Sequence, residues 1–353
     1  MIVPPVNLGR HAPVRLMSPI QSTGKDHTLM GEPSGESEPG GPSTAGLIFS
    51  FGTIYLVWGS TYLAIRIAIE TLPPFLMAGV RFVIAGVILI IWARLRGSPL
   101  PTFKHWRIAI VTGGLLLLGG NGGVVWAEKT VPSGLAALTI SMLPLWMALF
   151  DWLRPEGTRP PWTTWVGILT GFAGMVALVT LGRDADDKPI NPLGIAALVG
   201  ANISWALGSL ISKHSPRPAS PFMVTGMQML TGGLLLLAAS LVSGELASFR
   251  VEEVSMRSLS AMLYLLVFGS LLALTAYNWL LHVTQPTLVA TYAFVNPIIA
   301  LILGWLLANE PLTRDNLIAA AVIVASVGWL IGVQWWRVRR TADLSCNGTS
   351  PDR

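Results

Sequence analysis

The sequence predicts an all-α polytopic membrane protein with ten transmembrane helices in two inverted five-helix repeats. Three observations lead to this fold class. Of the 353 residues, 52% are hydrophobic and only 12% are charged, about half of the roughly 25% found in ordinary soluble domains. Ten largely apolar stretches are long enough to cross a hydrocarbon core. The second half of the chain also repeats the plan of the first.

The two ends of the chain have a different composition. Residues 1–44 are rich in Pro, Gly and Ser, as in "GEPSGESEPGGPSTAG", and they lack the apolar core of a signal peptide. We expect them to form a disordered cytoplasmic tail, and residues 337–353 to form a second one. Cys346 is the single cysteine, so neither a disulfide framework nor a cysteine metal site is available. We expect no cofactor and no bound metal.

The ten apolar stretches lie near 45–66, 73–94, 106–127, 132–152, 162–181, 191–212, 220–241, 257–281, 286–307 and 314–336. Each is predicted to be a helix, because a bilayer leaves backbone groups no other hydrogen-bond partners and a barrel would show short alternating strands. The net charge of +5 comes from residues at helix ends, which argues against a nucleic-acid partner. Eleven Lys and Arg residues lie on one side and six on the other, which predicts cytoplasmic termini.

Two offsets align the halves of the chain. A shift of 147 residues pairs Trp58 with Trp205, Pro74 with Pro221, Gly79 with Gly226 and Gly86 with Gly233. A shift of 153 residues pairs Trp126 with Trp279 and Pro144 with Pro297. We therefore predict one repeat over 45–182 and a second over 191–336. Because five crossings is an odd number, the second repeat crosses the membrane in the opposite sense to the first.

An inverted repeat is typical of secondary transporters, in which the substrate binds between the halves and the halves rock around it. Gene duplication also produces pores and bare scaffolds, so the repeat alone leaves these alternatives open. The motifs "WGSTYLAIR", "PPFLMAGVRF", "SGLAALTISMLP" and "PTLVATYAFVNPIIA" resemble the EamA family of the drug/metabolite transporter superfamily. The resemblance extends from the first to the tenth predicted helix.

This resemblance implies a central cavity and export of small metabolites such as amino acids, or of drugs, across a bacterial inner membrane. The implied partners are a small-molecule substrate and the lipid bilayer, with protons as a candidate coupling ion. Family membership does not fix the substrate. We expect a secondary active exporter that works by alternating access, with a passive facilitator or channel as the alternative.

Arg81 is the charged residue within the otherwise apolar stretch "FLMAGVRFVIAGVILI". It lies about 10 Å inside the second predicted helix at roughly 1.5 Å per residue. An arginine at a helix centre costs about 2.5–3.5 kcal/mol, so such residues usually face protein. Its counterpart in the second repeat is Gln228, which is also polar. Either Arg81 contacts the substrate or a gate, or it bridges backbone carbonyls of neighbouring helices.

Pro144 and Pro297 occupy equivalent places in the fourth and ninth predicted helices. Proline removes a helical hydrogen bond, and paired helix breaks are a sequence indicator of a binding site. Ser141, Tyr292 and Asn296 flank these positions and are candidate ligand contacts. A simple kink that improves packing is the alternative interpretation.

Aromatic residues recur at equivalent places in both repeats, and their rings suit amphipathic or cationic ligands. The candidates are Trp58, Trp205, Trp126 and Tyr277, although each would also serve as core filling. Asn121 lies in the glycine-rich stretch "TGGLLLLGGNGGVVWAEK", where the glycines permit close helix packing or bending.

Other functions have less support. Glu128, Asp151, His282 and Glu310 lie at predicted helix ends, where acids are usually solvated, so no proton carrier is assigned. The sequence has no G-x-x-x-x-G-K-[ST] motif for nucleotide binding, and its five histidines are scattered. We therefore expect neither an ATP-driven pump nor an enzyme.

Overall fold

The computed structural model describes residues 43–155, 191–218 and 220–308, with scattered residues between 157 and 173 and between 314 and 332. Within this part, all regular secondary structure is helical, and seven helices are long and apolar enough to cross a membrane. The predicted fifth and tenth helices and both tails lie mostly or wholly outside the described residues. The count of ten helices therefore stays a prediction.

Four helices belong to the first half: α1 (Thr44–Ala68), α2 (Pro74–Leu95), α3 (Phe103–Ala127) and α4, which consists of Ser133–Ile140 and Leu143–Leu153. Four belong to the second half: α5 (Pro192–His214), α6 (Pro221–Val242), α7 (Met256–Val283) and α8, which consists of Pro286–Val289 and Tyr292–Ala308. The ends of these eight helices lie within three residues of the predicted spans.

The helix starts follow from local capping chemistry. Proline occupies the first turn of α2, α5, α6 and α8, where its missing N–H costs nothing. Ser43, Asn191, Ser220 and Ser255 are N-caps whose side chains accept hydrogen bonds from backbone N–H groups of the first turn. Pro73 has no such side chain, and at the start of α2 the carboxylate of Glu245 accepts the Leu76 N–H at 3.0 Å instead.

Helices α2 and α6 run antiparallel and touch backbone to backbone. A Cβ added at Gly86 would lie 2.5 Å from Leu230 N, and one added at Gly233 would lie 2.8 Å from Val83 N. Gly79 and Gly226 are equally crowded by the facing helix. Small residues permit this approach in membrane helices. The four glycines are the ones that the sequence alignment pairs with one another.

Hydroxyl side chains, rather than prolines alone, mark the interruptions of α4 and α8. The Ser141 hydroxyl donates to Leu138 O at 2.6 Å, and the Thr291 hydroxyl donates to Leu288 O at 2.7 Å. Such bonds compete with the helical ladder. Pro144 lies in the first turn after the first interruption, in Leu143–Leu153. The prediction of a break at Pro297 is wrong, because the helix Tyr292–Ala308 continues through it and the interruption lies upstream at Ala290 and Thr291.

The third crossing of each half contains a π-helical segment. These segments are Gly114–Gly122 in α3 and Leu265–Leu274 in α7. A π-helix is rare and widens the helix by shifting its backbone bonds, and it occurs frequently at functional sites. Neither segment was predicted from the sequence. Both turn out to border the same cavity.

Candidate functional site

A cavity with about 690 Å³ of empty space lies between the middles of the helices. Residues from α1, α2, α3, α4, α5, α7 and α8 line it. Six predicted site residues are among them: Trp58, Arg81, Asn121, Trp205, Tyr292 and Asn296.

Arg81 is almost completely buried, with 2% of its surface exposed. Its Nη2 donates to Asn121 Oδ1 at 2.7 Å, and its guanidinium carbon lies 4.4 Å from the centre of the Phe82 ring. The Nε atom has no hydrogen-bond partner. The acceptor is thus a side-chain amide in the π-helical segment of α3, rather than the backbone carbonyls of the alternative interpretation.

Four aromatic rings form one cluster beside the cavity. The Trp58 ring centre lies 5.6 Å from that of Trp205, 5.0 Å from that of Tyr277 and 4.7 Å from that of Tyr292. The two tryptophans that the repeat alignment pairs are therefore in edge-to-face contact. Tyr277 is fully buried behind the cluster, where its hydroxyl accepts a bond from Trp205 Nε1 at 3.0 Å and shares one with Ser209 at 2.6 Å.

Two amides in the cavity wall have unused hydrogen-bonding groups. Neither polar atom of the Asn296 side chain makes a hydrogen bond of normal geometry, although the residue is only 1% exposed and its amide lies close to the Tyr62 hydroxyl. Asn202 donates to Thr139 O at 2.7 Å, and its Oδ1 has no partner. Buried polar groups without partners are unusual and call for a bound water or ligand. The wall therefore combines one cation, neutral amides and aromatic faces.

Residues 44–180 and 192–332 match the family model described as the EamA-like transporter family. The chain belongs to this family. The resemblance inferred from the motifs is confirmed, and the protein is a multi-pass membrane transporter of the EamA kind.

Relatives extend the match across most of the chain. The "Uncharacterized inner membrane transporter YedA" of Escherichia coli K12 is 39% identical over 78% of this chain and 87% of its own length. "Protein PecM" of Dickeya dadantii is 30% identical over 77% of this chain and 87% of its own length. The "Probable amino-acid metabolite efflux pump" of Salmonella typhimurium is 26% identical over 83% and 96%.

A solved crystal structure also has this fold. It matches with a TM-score of 0.60 and 21% sequence identity, and it covers 84% of this chain and 99% of that chain. At this level of identity, the likeness concerns the fold alone.

Several residues predicted for the site lie elsewhere in this EamA-family chain. Trp126 is half-buried near the end of α3, outside the cavity lining. Ser141 is buried at the interruption of α4, with its hydroxyl bonded to Leu138 O. Pro144 and Pro297 are also buried outside the lining. Tyr277 reaches the cavity only through the aromatic cluster.

Gln228 is the centre of a separate buried network on α6. Its amide nitrogen donates to the Thr112 hydroxyl at 3.1 Å and to the Ser212 hydroxyl at 2.9 Å. Its amide oxygen accepts a hydrogen bond from Asn278 Nδ2 at 2.9 Å, and Asn278 Nδ2 also donates to the Thr225 hydroxyl at 3.1 Å. Arg81 and Gln228 are each the eighth residue of a helix that begins at a proline. Arg81 borders the central cavity, whereas Gln228 is held in a hydrogen-bonded network that borders a smaller cavity of about 280 Å³.

Sequence reasoning missed other polar residues of the cavity. Thr61 and Tyr62 lie one turn beyond Trp58 on α1, and Asn202 lies one turn before Trp205 on α5, so all three line the cavity. Helical spacing from the two tryptophans would have found them. Among the described residues, no group of three His, Cys, Asp or Glu side chains is arranged for metal binding.

Glu128 is the largest departure from expectation. A carboxylate at the end of the third predicted helix was expected to be solvated, but Glu128 is completely buried. It lies within electrostatic range of both Arg81 and Tyr62. Its backbone oxygen accepts a bond from Arg66 at 2.6 Å. Asp151 does follow the expectation, since it is partly exposed and pairs with Arg154 at 3.1 Å; Glu310 lies outside the described residues.

Proposed function

We propose that this chain is a secondary active transporter that exports amino acids, related metabolites or drugs by alternating access around the central cavity. The observation that carries the proposal is the composition of the cavity wall. The Arg81 guanidinium suits a carboxylate, and the free amide oxygen of Asn202 and the amide of Asn296 suit polar groups. The rings of Trp58 and Tyr292 suit an apolar or cationic portion.

A relative supports the choice of substrate class and direction. The Salmonella protein named as a probable amino-acid metabolite efflux pump covers most of this chain. An amino acid presents a carboxylate, an ammonium and a side chain of varied polarity, which matches the three kinds of group in the wall. Charge distribution favours cytoplasmic termini and thus an inner membrane protein whose Arg217 end faces the cytoplasm.

The proposed mechanism rests on an inverted repeat of two five-helix halves. The antiparallel contact between α2 and α6, through glycines that the alignment pairs, supports it. So do the π-helical segments in the third crossing of each half. When two related halves have opposite orientations, each half can adopt the conformation that the other had. This exchange of conformations opens the site to one side of the membrane and then to the other.

Transport into everted vesicles tests the proposal. Vesicles from cells that overproduce the chain would receive labelled amino acids, with and without a protonophore. We expect accumulation above the external concentration, and we expect the protonophore to abolish it because protons are the proposed coupling ion. Movement that persists at an equal rate without any gradient would establish a passive facilitator instead.

Arg81→Gln tests the role of the cavity. A hydrogen bond to a charged group contributes about 1.5–3 kcal/mol, so we expect transport to fall at least tenfold at unchanged membrane abundance. Arg257→Gln is the matched control, because this exposed arginine makes only a long ion pair with Glu70, at 3.6 Å. A parallel fall of abundance and transport in Arg81→Gln would show a structural role for the residue.

A further inference from the structure

Two smaller cavities lie at the end of the bundle where α5 ends and α6 begins. Their empty volumes are about 450 Å³ and about 280 Å³. They share Arg217, Pro218 and Val224 in their walls, and neither shares a residue with the central cavity. We call the larger one the vestibule. Its other lining residues are Pro221, Asn278, Trp279, His282 and Val283.

Arg217 supplies an uncommitted positive charge to the vestibule. The neighbouring cations are occupied: Lys213 donates to the carbonyls of Leu281 and Thr284 at the end of α7, and Arg154 pairs with Asp151. Arg217 itself has neither a hydrogen-bond nor an ion-pair partner in the described part of the chain. Its guanidinium is therefore free to bind a carboxylate.

Asn278 supplies an unused acceptor. The residue is 1% exposed, and its Nδ2 is committed to Gln228 and Thr225. Its Oδ1 has no hydrogen-bond partner. A buried acceptor without a donor is destabilising, so the position favours a bound donor such as an ammonium group. Trp279 and Val283 add an apolar wall beside it.

We propose that the vestibule is a second binding site for a small zwitterion, with Arg217 holding the carboxylate and Asn278 Oδ1 accepting from the ammonium. This inference rests on the proposed function, because its ligand is the transported amino acid on its way to the central cavity. The vestibule is an entrance site. The buried network of Gln228, Asn278, Thr112 and Ser212 separates it from the central cavity.

The charge of Arg217 can be tested by thiol chemistry. The chain has one cysteine, so Cys346→Ser gives a background in which Val283→Cys reports on the vestibule of the purified full-length protein. We expect Arg217→Gln to slow its reaction with an anionic methanethiosulfonate, relative to a cationic one, by about fivefold. Lys104→Gln removes an exposed charge at the same end of the bundle and should leave the ratio unchanged. An unchanged ratio in Arg217→Gln would overturn the proposal.

Protection of the same cysteine tests the ligand class. Millimolar L-phenylalanine or L-threonine should slow modification of Val283→Cys, whereas 2-phenylethylamine and 3-phenylpropionate, which each lack one charge, should not. Arg217→Gln should abolish the protection. A zwitterion site would be contradicted if neither amino acid slows the modification, or if all four compounds slow it equally. Val224→Cys provides a second reporter, since Val224 also lines the vestibule.

The two proposals fail in different ways. Protection of Val283→Cys in a protein whose vesicles accumulate no amino acid would refute the proposed function and leave the vestibule as a zwitterion-binding site without a role in transport. Accumulation that occurs normally, with reactivity and protection unaffected by Arg217→Gln, would refute the entrance site alone.

Discussion

Arg81 is tolerated inside an apolar helix because its surroundings replace water. The Asn121 oxygen, the Phe82 face and the nearby carboxylate of Glu128 each stabilise a buried guanidinium. Two of the three asparagines that line the cavity in the described part of the chain differ in this respect. Asn121 is committed to Arg81, whereas Asn296 makes no hydrogen bond of normal geometry and only lies close to the Tyr62 hydroxyl.

Because of this difference, substitutions at the two positions should affect folding stability and transport to different extents. Asn121→Leu removes the acceptor of a charged group, so we expect a loss of about 1.5–3 kcal/mol in folding stability together with reduced transport. Asn296→Leu removes only a weak contact with the Tyr62 hydroxyl, so thermal unfolding in detergent should change less than in Asn121→Leu while transport falls at least tenfold. Destabilisation of Asn296→Leu as large as that of Asn121→Leu would show that Asn296 is structural.

At the level of single residues, the sequence indicated which polar residues are unusual, but it did not indicate what they contact. Arg81 stood out because a charge in an apolar stretch needs a partner, and the rings of Trp58 and Trp205 stood out because they repeat. Glu128 was misjudged because hydropathy places it at a helix end. The turn that follows it folds inward, with Val131 fully buried, and only tertiary packing determines that.

Whole helices were predictable because hydropathy, proline and N-caps act locally. Their internal irregularities were not, because the π-helical segments depend on what the widened turn contacts. Gly120 in α3 faces the Trp205 ring, and Gly269 O in α7 accepts from Trp58 Nε1 at 3.4 Å. The interruption near Thr291 likewise depends on a side-chain hydroxyl, which also bonds the Tyr55 hydroxyl on α1.

The contact between α2 and α6 gives a prediction at the level of elements. In Gly86→Ala the new methyl group would meet the backbone of Leu230 and Gly226, at 2.5 and 2.8 Å, and backbone cannot move aside as a side chain can. We expect a loss of about 1–3 kcal/mol from overpacking, measured as a lower unfolding temperature in detergent.

Gly200→Ala is the matched control, since this glycine is also within a helix and an added Cβ would meet nothing within 4 Å. It should leave the unfolding temperature unchanged or raise it slightly, because alanine favours helix. Equal behaviour of the two variants would mean that α2 and α6 are less closely packed than described here.

At the scale of the whole molecule, the repeat organises the two polar centres. The sequence paired Arg81 with Gln228, but it did not indicate that Arg81 would border the central cavity while Gln228 joins a hydrogen-bonded network beside a smaller one. Equivalent positions in two halves are not required to adopt equivalent arrangements, since a transporter that opens to one side at a time must be asymmetric in each state. If the chain works by the proposed alternating access, the Gln228 network has to break before the Arg217 end opens.

Loosening that network should therefore shift the conformational equilibrium. Gln228→Met removes its hydrogen bonds to Thr112, Ser212 and Asn278, each with a net contribution of about 0.5–1.5 kcal/mol. A shift of about 1.4 kcal/mol changes the ratio of two states tenfold.

In the Cys346→Ser background, Met227→Cys is a suitable reporter, because Met227 is buried in the wall of the smaller cavity next to this network. We expect Gln228→Met to accelerate its alkylation by a maleimide about tenfold. Gln285→Met changes an exposed glutamine without a side-chain cap bond and should have no effect. If Gly86→Ala lowers the unfolding temperature by as much as Gln228→Met and accelerates the alkylation of Met227→Cys equally, the acceleration reflects general destabilisation. Gln228 would then contribute to packing and not to the conformational equilibrium.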